Sequence, residues 1–585
     1  MGKTFHKVMT ALLALMLAGA AAAAEPPRTP AHGLLVKIKD SALQARAAAA
    51  GAPSGTQAGP SEAESRRAHV AAVVERRLGR ALPASAARVA RAAAPEVRAV
   101  TPRVHLVDWG VALAPSDAAR LATQLEEDPD VEFVEYNVME RRLEVVPNDP
   151  RYTGQWWLKG LSSSSLGVPR VSTAWDTGAQ RGVPGAPVAI LDTGKTSHPD
   201  LDAKWLSGWD FVDGDADATD PGDYTSNGDC AGTAAQDSSW HGTATAGIIA
   251  AQGDNLQWVA GVHWATPVLP VRVAGKCGAL ISDIVAGMRW AAGLVPGVRA
   301  GQPTPTPNGS PARIINLSFG GTGECTQTYR DAINEIRSRG AVLVVAAGNE
   351  AGAVARPANC PGVIAVAAVN KSGIKTSYSN FGPQVTISTV GGDPADLGIC
   401  GAYFGDGGLL TTGNSGRTTQ EQPAATLVAG TSFSAPIVSG VAALMLTVNP
   451  ALTVDQLVHG LRVSARPHVE ASKLGTCWAS NHEHCACSTA ICGAGLLDAP
   501  EALRYAENPA AYTSLPWPTQ APEPGLVEAC AQAKRAAGVP LDPPEASAGG
   551  DGGGLLGAPW ILALVLWAWA ASRARDRGRR GSVPF

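Results

Sequence analysis

Two kinds of hydrophobic pattern alternate along the chain from residue 150 onward. One is the short, mainly apolar run: Val188–Leu191, Pro267–Val273 with Arg272 its one polar residue, Ile314–Leu317 with Asn316 its one polar residue, Ala341–Ala347 and Val363–Val369. Side chains of a strand point alternately to its two faces, so a run without polar alternation means that both faces are covered. The other is the longer stretch that reads as a helix: Gly242–Ala251, Ser282–Ala292 and Tyr329–Ser338. Buried strands alternating with helices predict an α/β fold on a mainly parallel sheet covered on both faces. A further apolar stretch, Ser434–Val448, reads as a long helix with Pro436 in its first turn, where a missing N–H is tolerated.

The flanking regions are patterned differently. Residues 25–145 are rich in Ala and Arg. Within them Gly33–Lys39 and Val131–Tyr136 alternate as strands do, and His69–Ala81 and Ala114–Glu127 read as helices. Two strands and two helices make a small α+β unit, placed ahead of the larger domain (146–505) as a pro-segment would be. After about residue 505 Pro and Gly dominate, so order is expected to fade through a linker at 506–554.

The ends point to export. Lys3 and Lys7 precede the apolar stretch Val8–Ala20, and Ala22, Ala23 and Ala24 supply the small residues of a cleavage site, so residues 1–24 read as a secretory signal. A second apolar stretch at 555–572 is barely long enough to span a bilayer and is followed by a basic tail at 573–585. Arg573, Arg575, Arg577, Arg579 and Arg580 on that tail orient the span with the main body outside. The cluster Gly549-Gly550-Asp551-Gly552-Gly553-Gly554, the span and the tail together resemble the bacterial GlyGly-CTERM sorting signal. That resemblance implies a rhomboid-type sorting protease as a partner; a plain membrane anchor behind a flexible linker is the alternative.

Composition narrows the partners. The 585 residues carry 47 Lys and Arg against 51 Asp and Glu, a net charge of −4, which leaves no electrostatic case for a nucleic acid. Charged residues at 17% and hydrophobic ones at 45% exclude wholesale disorder. Ten cysteines are many for a chain that keeps its thiols reduced, which again fits an exported protein.

The candidate chemistry lies at strand ends. Asp192 follows a buried strand in Asp192-Thr193-Gly194, where backbone N–H groups fix a carboxylate that orients an imidazole. His241 opens a helix in Trp240-His241-Gly242-Thr243, and Gly242 permits close backbone approach behind it. Ser432 lies at a helix N-terminus in Gly430-Thr431-Ser432-Phe433-Ser434-Ala435-Pro436, where the helix end favours developing negative charge. Asn349, after Ala346-Ala347-Gly348, offers an amide donor, with the Ser432 N–H as the second. Taken singly, Asp192 and Asn349 read as turn residues and His241 as a structural histidine.

Taken together, in the order Asp, His, Asn, Ser, they resemble the subtilisin-like (S8) serine proteases, whose triad order is itself a standard template. The resemblance covers about residues 150–500. It implies a three-layer subtilisin-like fold and peptide-bond hydrolysis through an acyl-enzyme on Ser432, with His241 as base, Asp192 as its orienting partner and Asn349 as oxyanion donor. It further implies that the preceding segment is an inhibitor-type propeptide removed by self-cleavage, and that Ser318, Phe319, Gly320, Ala347 and Gly348 line the substrate cleft. The extra cysteines and the long acidic loop resemble secreted proteases of Gram-negative bacteria. The chain departs from the family at Phe433, usually Met, at Ala244 and Thr245, usually His-Val, and at Leu256 and Trp258, often Gly.

Structural Ca²⁺ is the expected cofactor. By resemblance Asp200 and Asn255 match calcium ligands of the family. The loop holding Asp213, Asp215 and Asp220 adds hard oxygen ligands at high density; a solvated acidic loop is the alternative. The resemblance also implies Cys277–Cys325 and Cys360–Cys400 disulfides. Cys477, Cys485, Cys487 and Cys492, with His482 and His484 nearby, are either two further disulfides or a zinc site. A catalytically inactive surface binding protein on the same scaffold is the competing function, and no Gly-rich phosphate loop supports a nucleotide enzyme.

Overall fold

The computed structural model describes residues 31–42, 62–78, 95–139, 145–175, 185–230, 234–297 and 301–543. The expected signal segment, the apolar span and the basic tail lie outside the described residues. The chain divides into two compact units at Arg142/Leu143.

The first unit has four strands, β1 (Ala31–Ile38), β2 (Glu96–Ala99), β3 (Val104–Asp108) and β4 (Val131–Val138), and two helices, α1 (Glu62–Leu78) and α2 (Pro115–Glu126). Its sheet is antiparallel in the order β2-β3-β1-β4. Leu34, Val36 and Ile38 of β1 point into one core with Val70 and Val73 of α1 and Leu121 and Leu125 of α2. Arg76 holds α1 to the turn before β4 by donating to both oxygens of the buried Asp128, and His69 pairs with Asp130 at 3.0 Å. β2 and β3 are absent from the expectation of two strands. Val97 is the one buried residue of β2, so that strand carries no period-2 signal.

The second unit is built on β5 (Val188–Asp192), β6 (Trp209–Asp210), β7 (Val268–Arg272), β8 (Ile314–Leu317), β9 (Val342–Ala346), β10 (Ile364–Val369) and β11 (Ile387–Val390). They form one sheet in the order β11-β10-β9-β8-β5-β7-β6, parallel throughout. Val188 and Ile190 of β5 enter a core with α3 (His241–Ala250) and α6 (Thr431–Val448). Ala189 and Leu191 enter the opposite core with α4 (Ile281–Ala291) and α5 (Gln327–Ser338). The result is the expected three-layer α/β fold. Chain order reverses between β5 and β8, which opens a crevice at the carboxyl ends of these strands, where folds of this type place their ligands.

α6 begins at Thr431, so Pro436 lies inside the helix and not in its first turn. Proline lacks the N–H that would bond the carbonyl four residues back. That carbonyl belongs to Ser432, and the Ser318 hydroxyl donates to it instead at 2.8 Å. The exchange ties the start of α6 to the end of β8. α6 is also the one described helix long and apolar enough to cross a membrane, and it is buried in the core.

From residue 506 to 543 the chain packs against the rest of the second unit, where a linker was expected; the remainder of that expected linker lies outside the described residues. After α7 (Val454–Val463) and α8 (Ala499–Glu507), Trp517 stacks over the guanidinium groups of Arg170 and Arg466, at 5.2 and 5.7 Å. Those arginines hold the buried Asp498. α9 (Pro524–Ala536) then buries Lys534, which donates to Asn481 Oδ1 and to the Glu483 and His484 carbonyls. The disulfides differ from those expected. Cys277 pairs with Cys230, Cys325 with Cys360, and Cys400 with Cys530 of α9. Cys477–Cys485 and Cys487–Cys492 close small loops, so no thiolate remains there for zinc. Pairing depends on which loops meet across the sheet, and cysteine spacing does not encode that.

Cys400–Cys530 closes a separation of 130 residues, so its loss releases a large loop entropy to the unfolded chain. The Cys400→Ala/Cys530→Ala variant should lose about 4 kcal/mol of stability. Urea unfolding measures this, and an unchanged midpoint would show that noncovalent packing alone holds α9.

Candidate active site

The ends of β5, β8 and β9 and the starts of α3 and α6 converge at the crevice. β5 ends in Asp192, which is 1% exposed. Its carboxylate accepts from Thr193 N at 2.8 Å and faces His241 Nδ1 at 2.8 and 3.0 Å. His241 is the first residue of α3. Trp240 before it turns the chain with φ +49°, and its ring N–H donates to the Gly416 carbonyl at 2.6 Å. A Cβ on Gly242 would meet the Gly194 carbonyl at 2.1 Å, so only glycine lets α3 start this close to the end of β5.

The imidazole edge faces the ring of Phe319 at 5.5 Å, and the ring of Phe433 lies tilted against it at 4.9 Å. Phe433, which replaces the family's usual Met, thus packs on His241 and brings its neighbour Ser432 to the same place. The Ser432 hydroxyl donates to the Ser318 carbonyl at 3.1 Å. Burial pulls the His241 pKa down, but the charge and hydrogen bond of Asp192 outweigh it, aided by Asp223 and Asp220, so the net shift is upward from 6.5.

Asn349 follows β9. Its Oδ1 accepts from Thr431 N at 2.9 Å and Thr431 Oγ1 at 2.8 Å, which fixes the amide and turns Nδ2 away from α6's first residue. Gly430 adopts φ +146°, and a Cβ there would lie 3.4 Å from Asn349 Nδ2 and 3.7 Å from Ser432 N. The two donors therefore flank one gap that the glycine keeps open. Ser318, half-buried Phe319 and exposed Gly320 continue from β8 along this crevice. Gly348 takes φ +107° and donates its N–H to Thr431 Oγ1 at 3.1 Å. Ala347 differs: its N–H bonds the Val366 carbonyl and its carbonyl accepts from Ala355 N, so it builds the wall from inside.

The calcium candidates divide. Asp213 and Asp210 both pair with Arg272, Asp215 accepts from Asp217 N, and Asp220 accepts from Thr193 and Gly222. Among the described residues no three His, Cys, Asp or Glu gather as a metal site, and the acidic loop does not fit one. Asp200 and Asn255 do lie together, with Asn255 Nδ2 donating to Asp200 at 3.0 Å and Val259 N donating at 2.9 Å. Beside them is Asp149, a residue the sequence reading passed over. Its Oδ1 is buried without a hydrogen-bond partner. Burial raises the pKa of Asp149 and of Asp200, and the Asp149 charge raises Asp200 further. Two buried carboxylates, one with an orphan oxygen, suit a hard cation, while the Asn255 amide faces Asp200 with its nitrogen and its Oδ1 accepts from Gln257 N at 2.8 Å. Leu256 in this loop takes φ +61°, a left-handed conformation that glycine adopts more freely than leucine.

Residues 184–483 match the Subtilase family of S8 peptidases, a span that contains Asp192, His241, Asn349 and Ser432. The chain belongs to that family. This subtilase is a serine endopeptidase, and its relatives agree. It is 38% identical over 449 residues to an extracellular protease of Xanthomonas campestris pv. campestris, covering 74% of this chain and 69% of the relative. It is 36% identical over 337 residues to an extracellular basic protease of Dichelobacter nodosus, covering 55% of this chain and about half (51%) of the relative. Among solved structures, a protease from Pseudoalteromonas arctica matches with a TM-score of 0.53 at 38% identity, covering 62% of this chain and 99% of that one.

A base that must be neutral to accept a proton fails as pH drops through its pKa. With His241 raised, the acid limb of kcat/KM should lie above 6.5. A pH–rate profile checks this, and a limb below 6.5 would contradict the electrostatics described.

Proposed function

We propose that the protein is a secreted endopeptidase that uses Asp192, His241 and Ser432 as its triad and matures from a zymogen. The observation that carries this reading is the buried Asp192 paired with His241 Nδ1 beside Ser432 at a helix N-terminus. Ser432 Oγ turns from the Ser318 carbonyl toward His241 Nε2 and attacks the scissile carbonyl while the imidazole takes its proton. Asp192 holds the Nδ1–H tautomer and stabilises the imidazolium. Asn349 Nδ2 and Ser432 N–H, on either side of the Gly430 gap, bind the oxyanion. His241 then protonates the leaving amine, and water repeats the sequence to release the acyl group.

The α+β unit ahead of the peptidase is the propeptide in this reading, an intramolecular inhibitor severed by self-cleavage between residues 137 and 150. The extracellular names of the relatives support export. The tail is the part read by a membrane and a rhomboid-type sorting protease. Asp149 and Asp200, with Asn255 once its amide oxygen is turned toward them, would hold a structural Ca²⁺ that would offset the two carboxylate charges.

The Ser432→Ala variant should lose turnover and accumulate as the unprocessed chain, visible on a denaturing gel; inhibitor-sensitive activity in it would refute the assignment. Asn349→Ala should lower kcat about 10²–10³-fold with KM little changed, a magnitude borrowed from subtilisin, where one such donor has been removed. A chelator should lower the melting temperature of the wild type but leave Asp149→Asn unmoved; equal shifts in both would place the cation elsewhere.

A further inference from the structure

Behind the Asp192–His241 pair lies a second buried carboxylate, Asp220, at 1% exposure. Its Oδ2 accepts the Thr193 hydroxyl at 2.6 Å, and its Oδ1 accepts Gly222 N at 2.9 Å. The same Thr193 Oγ1 accepts Gly242 N, the residue after His241, at 3.1 Å. Thr193 N donates to Asp192 Oδ1 at 2.8 Å. One threonine thus bonds the carboxylate that orients His241, the backbone that carries His241, and Asp220.

We propose that Asp220 is a positioning residue for peptide-bond hydrolysis: by fixing the Thr193 hydroxyl it sets where Asp192 meets His241, and its charge stabilises the imidazolium. The proposal rests on the triad reading above. A hydroxyl free to rotate could donate to other oxygens; bound to Asp220 it presents its lone pairs to Gly242 N. Burial pushes Asp220 up to about 6, so it is charged in the range where the raised His241 acts as a base. The other charged groups around the pair are fixed. Asp223 accepts from Ser239 N and Oγ, both at 2.6 Å, and Arg417 pairs with Asp237 at 2.9 Å. Lys195, whose carbonyl accepts Asp220 N, extends over Trp205. Gln420 Nε2 holds the Asp220 carbonyl at 2.8 Å.

The test is steady-state kinetics across pH on mature wild type, Asp220→Asn, Thr193→Val and Thr193→Ser, with Ser432→Ala alongside. Asp220→Asn should lose about tenfold to a hundredfold in kcat with KM nearly constant. Its acid limb should move to lower pH, because a neutral side chain no longer favours imidazolium. Thr193→Val should lose a similar factor, the double variant should be little worse than either single one, and Thr193→Ser should recover most of the loss. Should Asp220→Asn not fold, the Thr193 pair carries the same comparison. Folded Asp220→Asn and Thr193→Val with wild-type kcat and acid limb would overturn the proposal. Turnover surviving in Ser432→Ala would instead overturn the triad reading beneath it.

Discussion

A carboxylate withdrawn from water costs several kcal/mol unless donors take up its charge, and the site is arranged around meeting that condition for Asp192. The Thr193 N–H and His241 Nδ1 supply the donors, and Thr245 Oγ1 stands at 3.5 Å. For the imidazole to reach Asp192, α3 must begin against the end of β5, which requires Gly242 and the left-handed turn at Trp240. The burial that makes Asp192 costly therefore also fixes His241 to one tautomer and one position.

Ser432, the proposed nucleophile, is placed by a different constraint. Pro436 inside α6 strips the Ser432 carbonyl of its helical donor, and Ser318 replaces it, so a defect in the helix becomes a bond to β8. The Ser432 hydroxyl returns the contact by donating to the Ser318 carbonyl. Thr431 completes the frame by orienting Asn349 through two bonds. The site is held from β5, β8, β9, α3 and α6 at once, and both faces of the sheet are covered, so it does not depend on one mobile loop.

The parts that were legible in the amino-acid sequence were those encoded by mainly apolar runs and short local motifs. β5 and β7–β10 are mainly apolar runs without polar alternation, and both faces of each are buried, as such a run requires. β11 escaped because Ser388 and Thr389 make half of its four residues polar, where β7 and β8 carry one polar residue each, although all four are buried; the Ser388 hydroxyl is satisfied by the Cys492 carbonyl. The four chemical residues were visible because each sits in a short motif at an element end. Asp220 was visible as a residue type and was misread: in a row of aspartates it suggested a calcium ligand, and only the fold shows its carboxylate turned inward to Thr193. Asp149 sits in a segment that resembles the family's mature N-terminal region but gave no sign of a ligand, since its orphan oxygen exists only once Asp200 and Asn255 are folded beside it. The C-terminal strap likewise looked like a linker by composition, because one buried lysine, one tryptophan and one disulfide hold it and none forms a periodic pattern.

The account stands or falls on Ser432 being activated by His241. The most direct measurement is a fluorophosphonate probe applied to the mature protein, with the labelled residue mapped by mass spectrometry. The account predicts one stoichiometric label on Ser432 that disappears in the His241→Ala variant. Absence of label on folded, mature protein, or a label on Ser432 that persists without His241, would contradict it.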